Sequence, residues 1–383
     1  MDRRHRALEI VFWTAAAVVA HGLVGYPAYI WLRSRIARRP VRQATITPTV
    51  TCVLAARDEA ATILAKLANL AALDYPAARL EIVVVDDGSA DGTADVATAW
   101  SRSTPLSTTV VRLPRPRGKA SALNAGVAHA HGDVVVFVDA RQRVAQDAVR
   151  RLVRNFADER IGAVSGVLVL DRDGGDASTG GLRRYWSFER WLRRSESASG
   201  STIGCTGALY GVRRALYAPL PEAAILDDVM VPLRVMEAGY RVVVDDEALV
   251  FDRLGDSRRE FRRKMRTLAG NLQLVHLHPA LLSPRHAELA GRFVSHKLVP
   301  RVLMPYALLT LLLASARLPS AGYRSALMGQ LAVYVLGTLG LLLRVRPRVL
   351  EPATGFVVLN AASIAGTVAY LTPLRRGLWK KAG

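Results

Sequence analysis

The chain has 383 residues, 51% of them hydrophobic and only two of them cysteines (Cys52 and Cys205), which allows a large core in one to three domains and supports neither a disulfide framework nor a zinc site. Its formal net charge of +20 would suit a nucleic-acid binder, yet the arginines gather at the ends of long apolar runs, as Arg33, Arg35, Arg38, Arg39 and Arg42 and again as Arg344, Arg346 and Arg348. That is the pattern of a membrane protein with a basic cytoplasmic face, and with no aromatic-and-basic recognition module beside it, nucleic acid is not expected as a partner.

Ile10 to Leu32 carries no charged side chain and has the length of one membrane crossing. Its Ala-rich centre could belong to a cleaved signal peptide. The run exceeds a usual signal core, however, and the Arg cluster behind it resists translocation, so a retained anchor is expected, with the following domain in the cytoplasm. Pro40 to Pro48 reads as a short linker, closing an anchor segment 1–48.

Thr49 to Ala55 is rich in strand formers, and Asp58 to Leu73 has helical spacing through Ile63, Leu64, Leu67 and Leu70. Between them, Ala55-Ala56-Arg57-Asp58-Glu59 sets a cation and two acids at a strand-to-helix turn, where Asp58 could simply cap the helix, a role compatible with ligand binding. A second strand leads into Asp86-Asp87-Gly88-Ser89, then a helix from about Thr93 to Trp100 and a third strand from about Thr108 to Leu113. The loop Pro114-Arg115-Pro116-Arg117-Gly118-Lys119 opens a helix from Ala120 to Ala130. Gly118 and Lys119 therefore lie where backbone N–H groups and the helix dipole favour an anion such as a phosphate, although a solvated basic loop has the same composition.

Gly132 to Gln142 organises the rest. The run Val134-Val135-Val136-Phe137-Val138 reads as a strand buried on both faces, and it ends on Asp139. Open α/β sheets bind ligands at the carboxyl ends of their strands, so Asp139 is placed for a ligand as well as for a turn. A helix from about Ala145 to Phe156 and a strand from Gly162 to Leu170 continue the alternation, which predicts an α/β, doubly wound, mostly parallel sheet over Thr49 to Leu170.

Beyond Leu170 the alternation stops. Arg183 to Arg194 is an amphipathic helix with Tyr185, Trp186, Phe188 and Trp191, suited to a membrane surface or a domain core. Gly204-Cys205-Thr206-Gly207 is a small-residue turn, and Asp227-Asp228 start a helix that Gly239 stops. Paired acids there complement the dipole, but apolar flanks also suit a partly desolvated general base. Phe261 to Thr267 is a cationic helix segment able to lie on anionic lipid or grip a diphosphate. Three apolar runs follow, at about Leu298 to Ala316, Ala326 to Leu343 and Thr354 to Leu371, and the basic tail Arg375, Arg376, Lys380, Lys381 leaves the number of true crossings open.

In order, Asp86-Asp87-Gly88-Ser89, Gly118-Lys119 with Leu123-Asn124-Ala125-Gly126, Asp139, Gly204-Cys205-Thr206-Gly207 and Asp227-Asp228 form one set. With it, the chain resembles membrane-bound family 2 glycosyltransferases of GT-A fold, the group of cellulose, chitin, hyaluronan and poly-N-acetylglucosamine synthases. The resemblance covers about Thr49 to Leu274. It implies a GT-A domain over 49–280, flanked by transmembrane helices, with 281–383 as a C-terminal membrane part of a multi-pass plasma-membrane protein. It further implies that Ala55, Arg57 and Asp87 line a nucleotide pocket and that Lys119 approaches the donor. Asp139, the first acid of the family's Asp-x-Asp, would hold a divalent metal (Mg²⁺ or Mn²⁺). Asp228, beside Asp227, would be the catalytic base, and Arg263 and Arg266 would approach the diphosphate.

The implied reaction moves a sugar from a nucleotide-sugar donor, UDP-linked in most of the family, to a saccharide or glycan acceptor, with inversion. The product would be a cell-envelope or exopolysaccharide, with an export partner unidentified. Two residues depart from the pattern. Arg141 stands in place of the second Asp, which removes a hard metal ligand, and Thr267 replaces a Trp that in polymer-making members lies at the acceptor sugar. Two rival readings accompany this one: transfer to a polyprenyl phosphate, giving a lipid-linked monosaccharide, and a non-catalytic nucleotide-binding scaffold.

Overall fold

The computed structural model describes residues 3–170, 180–252, 257–343 and 348–372. The basic tail and the Arg344 and Arg346 positions lie outside the described residues. Internal packing divides the chain into two units, one of Met1–Leu32, Gly174–Leu192 and Leu254–Gly383, the other of Arg33–Asp173 and Arg193–Arg253.

The second unit holds an eight-stranded sheet: β1 Val50–Ala56, β2 Leu80–Asp86, β3 Ser107–Arg112, β4 Val134–Val138, β5 Arg143–Val144, β6 Ile161–Leu170, β7 Leu209–Arg213 and β8 Arg241–Asp252. Their order across the sheet is β3-β2-β1-β4-β7-β6-β8-β5. The first four are parallel, as the alternation predicts, with Val53 of β1 opposite Val83 of β2 and Phe137 of β4. Both faces of β1, β2 and β4 are covered, so these strands are apolar along nearly their whole length. Helix Ala60–Ala71 contributes Ile63, Leu67 and Leu70, all fully buried and each stabilising by about 1.5–3 kcal/mol relative to exposure.

Past β4 the sheet becomes mixed. β7 runs antiparallel to β4 and to β6, while β6 and β8 are parallel with two irregularities in register. The pattern of the sequence did not disclose β7 or β8. The apolar pattern of β8 is broken by Asp245-Asp246-Glu247, and its buried Asp245 is accommodated because Arg154 donates to both its oxygens at 2.9 and 3.0 Å and Asn155 adds a third bond. Residues 40–48 carry no regular structure, yet they are more than a spacer. Val41 and Ile46 pack on the core, and the Pro48 carbonyl accepts from Tyr75 at 2.5 Å.

Among the described residues four helical stretches, nearly all of their length in the first unit, are long and apolar enough to cross a membrane: Arg3–Ile36, Pro284–Ser315, Ala321–Leu342 and Glu351–Leu371. Helix Ser257–Leu277, with Arg263 and Arg266, packs along Glu351–Leu371. A Cβ at Gly366 would lie only 2.7 Å from the Met265 carbonyl oxygen, so the contact needs glycine there. Inside the same unit Glu189 is buried against His296, Lys297 and Arg301, which neutralises an acid that could not be buried alone.

Candidate active site

The carboxyl ends of β1, β2 and β4 carry the site, where a parallel sheet leaves room for a ligand. The turn after β2 is locked first. Ser89 bonds the buried Asp86 carboxylate through both its hydroxyl and its N–H, and Asp58 accepts from the Ala90 N–H at 3.0 Å. Asp58 thus ties two turns together instead of capping its own helix. Asp91 takes the capping role by accepting from the Ala60 N–H at 2.9 Å.

Asp87 accepts from the N–H groups of Arg117 at 2.7 Å and Gly118 at 2.9 Å, so its charge holds the basic loop in place. That loop folds tightly over the turn because residue 88 is glycine: its φ is +65°, and a Cβ would meet Arg115 and Pro116 backbone atoms at 2.7 Å. The loop delivers Lys119 to the first position of helix Lys119–Ala128. This helix is seated closely on the sheet at Gly126, where a Cβ would lie 2.5 Å from a Val53 methyl.

Lys119 Nζ lies 2.9 Å from Asp139 Oδ1 and 3.2 Å from Asp227 Oδ1. Three predicted residues from a helix start, a strand end and a second helix start therefore meet at one ammonium. Asp227 opens helix Asp227–Glu237, is buried, and receives a bond from the Tyr210 hydroxyl at 3.3 Å. Burial, reinforced by the charges of Asp228 and Asp139, pushes the Asp227 carboxyl above the usual range against the pull of Lys119. Burial opposes the charge on Lys119, but Asp139 and Asp227 outweigh it and hold the ammonium above the ordinary lysine value.

Asp228 is partly exposed, and its charge also acts on Lys119. Its position is set by the small-residue turn. The Cys205 N–H donates to the Asp228 carbonyl at 2.7 Å, and a Cβ on Gly207 would lie 3.4 Å from Asp228 Oδ2. Ala55, the penultimate residue of β1, is half-buried, and Arg57 follows the strand at the turn, its Nε 3.6 Å from Asp58 Oδ2. Arg263 and Arg266 belong to the other unit, on one face of helix Ser257–Leu277.

Sequence reasoning passed over two groups. Tyr210 stacks on Phe137 with ring centroids 4.8 Å apart, in register across β4 and β7, and its hydroxyl reaches Asp227. Lys66 is buried under the Asp139 turn and donates to the Gln142 carbonyl at 2.8 Å. A lysine among Ile63, Leu67 and Leu70 on a core-facing helix was the available signal for it.

Residues 51–219 match the family profile described as Glycosyl transferase family 2. The chain carries a glycosyltransferase family 2 domain. Over 240 residues the chain is 28% identical to the probable glycosyltransferase YdaM of Bacillus subtilis (strain 168), covering 60% of itself and 56% of that protein. It is 28% identical over 204 residues to a poly-beta-1,6-N-acetyl-D-glucosamine synthase of Staphylococcus aureus (strain COL), covering 52% of itself and 48% of the synthase. It thus spans about half the length of the curated relatives it matches. Among solved structures it is similar to the mannosyltransferase PcManGT from Pyrobaculum calidifontis, in complex with GDP-Man and Mn²⁺. The TM-score is 0.73 and the identity 26%, over 95% of this chain and 99% of that one. The mixed sheet is that of GT-A glycosyltransferases.

The donor set bears on a metal. Among the described residues no group of three His, Cys, Asp or Glu side chains is placed to hold a cation. Mg²⁺ commonly takes one or two carboxylates and completes its shell with substrate phosphates and water. Asp139 would offer one such oxygen beside its contact with Lys119, so the described residues fit a cation that arrives with a diphosphate rather than one resident in the protein.

Proposed function

We propose that the chain is a membrane-bound inverting glycosyltransferase that moves a sugar from a nucleotide-sugar to a saccharide or glycan acceptor, with its GT-A unit in the cytosol. The observation that carries this reading is the meeting of Asp139, Asp227 and Lys119 at the sheet's carboxyl edge, with Asp228 next in the chain. Asp228 accepts the proton of the acceptor hydroxyl as that oxygen attacks the anomeric carbon. The bond to the nucleoside diphosphate breaks on the opposite side, and the configuration inverts.

Lys119 faces the negative charge that develops on the leaving diphosphate, and Asp227, with Tyr210, keeps the ammonium aimed there. Ala55, Arg57 and Asp87 border the nucleotide. Asp139 would hold a bound Mg²⁺ or Mn²⁺, which supplies further neutralisation of the diphosphate. The four apolar helices support a membrane location, and the likeness to a poly-beta-1,6-N-acetyl-D-glucosamine synthase supports a role in polysaccharide synthesis.

UDP-sugars and GDP-sugars both belong in the test, because the likeness that spans nearly all of both chains is to an enzyme holding GDP-Man. The detergent-solubilised chain is offered a panel of both kinds, with and without Mg²⁺ or Mn²⁺, and scored by nucleoside diphosphate release and product analysis. Release that requires an acceptor, with transfer to a saccharide, is the expected result. An organic-soluble single sugar moves the acceptor to a polyprenyl phosphate, and no release with any donor removes the enzymatic reading.

A further inference from the structure

Asn124 lies in helix Lys119–Ala128, beyond Lys119, and takes no part in the reaction described above. Its side chain makes three bonds to one short segment. Nδ2 donates to the Leu220 carbonyl at 2.8 Å, and Oδ1 accepts from the Leu220 N–H at 2.8 Å and from the Tyr217 hydroxyl at 2.7 Å. Bonding both backbone groups of one residue fixes that residue in position and in orientation, as a strand partner would.

The segment leads from β7 to Asp227. Leu220 is buried, Tyr217 packs against Phe137 of β4, and Arg234, within the helix that Asp227 opens, donates to the carbonyls of Ala218 and Pro219 at 3.1 and 2.5 Å. The helix carrying Asn124 is itself fixed to β1 and β2 at Gly126. A rigid path therefore runs from the sheet, through Asn124, to the loop that feeds the acidic pair.

We propose that Asn124 is a positioning residue for catalysis: by gripping Leu220 and Tyr217 it sets the start of helix Asp227–Glu237 against Lys119. A lone ammonium–carboxylate contact cannot do this, because a lysine side chain follows its partner through many rotamers. The proposal rests on the sugar-transfer reading. It makes a claim about loop order that can be measured separately.

The test uses the full chain in detergent as wild type, Asn124→Ala, Asn124→Asp and Tyr217→Phe. Backbone hydrogen exchange is followed over 217–228, with β1 and β4 as internal controls, alongside kcat and KM for the active donor. Asn124→Ala should speed exchange across 217–228 at least tenfold, leave β1 and β4 unchanged, and lower kcat by about 10–100-fold with KM moving less than about threefold, since small misplacements of reacting groups cost rates of that order. Asn124→Asp, which keeps two of the three bonds, and Tyr217→Phe, which also keeps two, should fall between. Unchanged exchange, or faster exchange with wild-type kcat, overturns the proposal, and the Tyr217 variant decides it should Asn124→Ala not fold. An inactive wild type overturns the sugar-transfer reading instead.

Discussion

Lys119 Nζ stands 3.2 Å from Asp227 Oδ1 while also touching Asp139, so one cation joins two carboxylates from segments 88 positions apart in the chain (Asp139 and Asp227). It contributes to the neutralisation of both acids. Lys119→Met should lower kcat/KM by about 10²–10³-fold, the usual loss for one electrostatic group facing developing charge. Lys119→Arg should retain more, because its charge survives in a different shape. Nucleoside diphosphate release decides it, and wild-type activity in Lys119→Met would mean that the leaving group does not face this ammonium.

Asp228 is the partly exposed member of the acidic pair, with its backbone fixed by Cys205. General base catalysis contributes about 10²–10⁴-fold, so Asp228→Asn should cost kcat that much while donor binding stays within about threefold. Binding of the nucleoside diphosphate is measured beside turnover. A variant that loses both together has lost its fold or its pocket, not its base.

Asp227 titrates above the usual carboxylate range because it is buried, so it takes up a proton earlier than an exposed Asp as the pH falls. Protonation removes one of the two acids that aim Lys119. The acid limb of kcat/KM should therefore lie above the ordinary value of 3.8, and Asp227→Asn, held neutral at every pH, should lack that limb. Stability runs the other way: the folded state binds this proton more tightly than the unfolded one, so the cost of ionised Asp227 fades as pH falls through the raised value.

The strand-end acids were legible in the sequence because the pattern recurs: one Asp after an apolar run could simply start a turn or cap a helix, but two such runs in one chain point to a shared edge. Val134 to Asp139 and Glu81 to Asp87 show the pattern, and Lys119 was legible as the residue opening a helix behind a glycine. What Asp87 does was not. Its bonds to Arg117 and Gly118 exist only once Gly88 lets the loop fold back, a three-dimensional fact with no periodicity. β7 escaped notice for a similar reason: five residues around Gly211 carry little alternation, and an antiparallel insertion between β4 and β6 follows from tertiary packing. Tyr210 was hidden with it.

Arg141 follows Asp139 by two positions and is exposed, where the family pattern has a second acid. A guanidinium there repels a divalent cation and withholds an oxygen ligand. Arg141→Asp should lower the Mg²⁺ or Mn²⁺ concentration giving half-maximal activity by roughly tenfold, the scale of one added nearby charge interaction worth ~1.4 kcal/mol. A metal titration of both forms measures it. An unchanged midpoint would separate residue 141 from the cation.

Lys66 supplies a signature independent of turnover. Burial pushes it from 10.5 down to about 8, with the charge of Asp139 offsetting part of the shift. Between those two values the unfolded chain holds a proton that the folded chain has released, so stability rises with pH across that window. Below about 8 both states are protonated and the folded state bears the whole cost of a buried ammonium, about 3 kcal/mol by linkage. Lys66→Met removes that cost and also the bond to the Gln142 carbonyl. Its Tm relative to wild type should therefore be highest near pH 7 and fall steadily toward pH 10 as the wild-type lysine is neutralised. Thermal unfolding of both proteins across that range measures the difference, and a constant gap would show that Lys66 is not desolvated in the folded state.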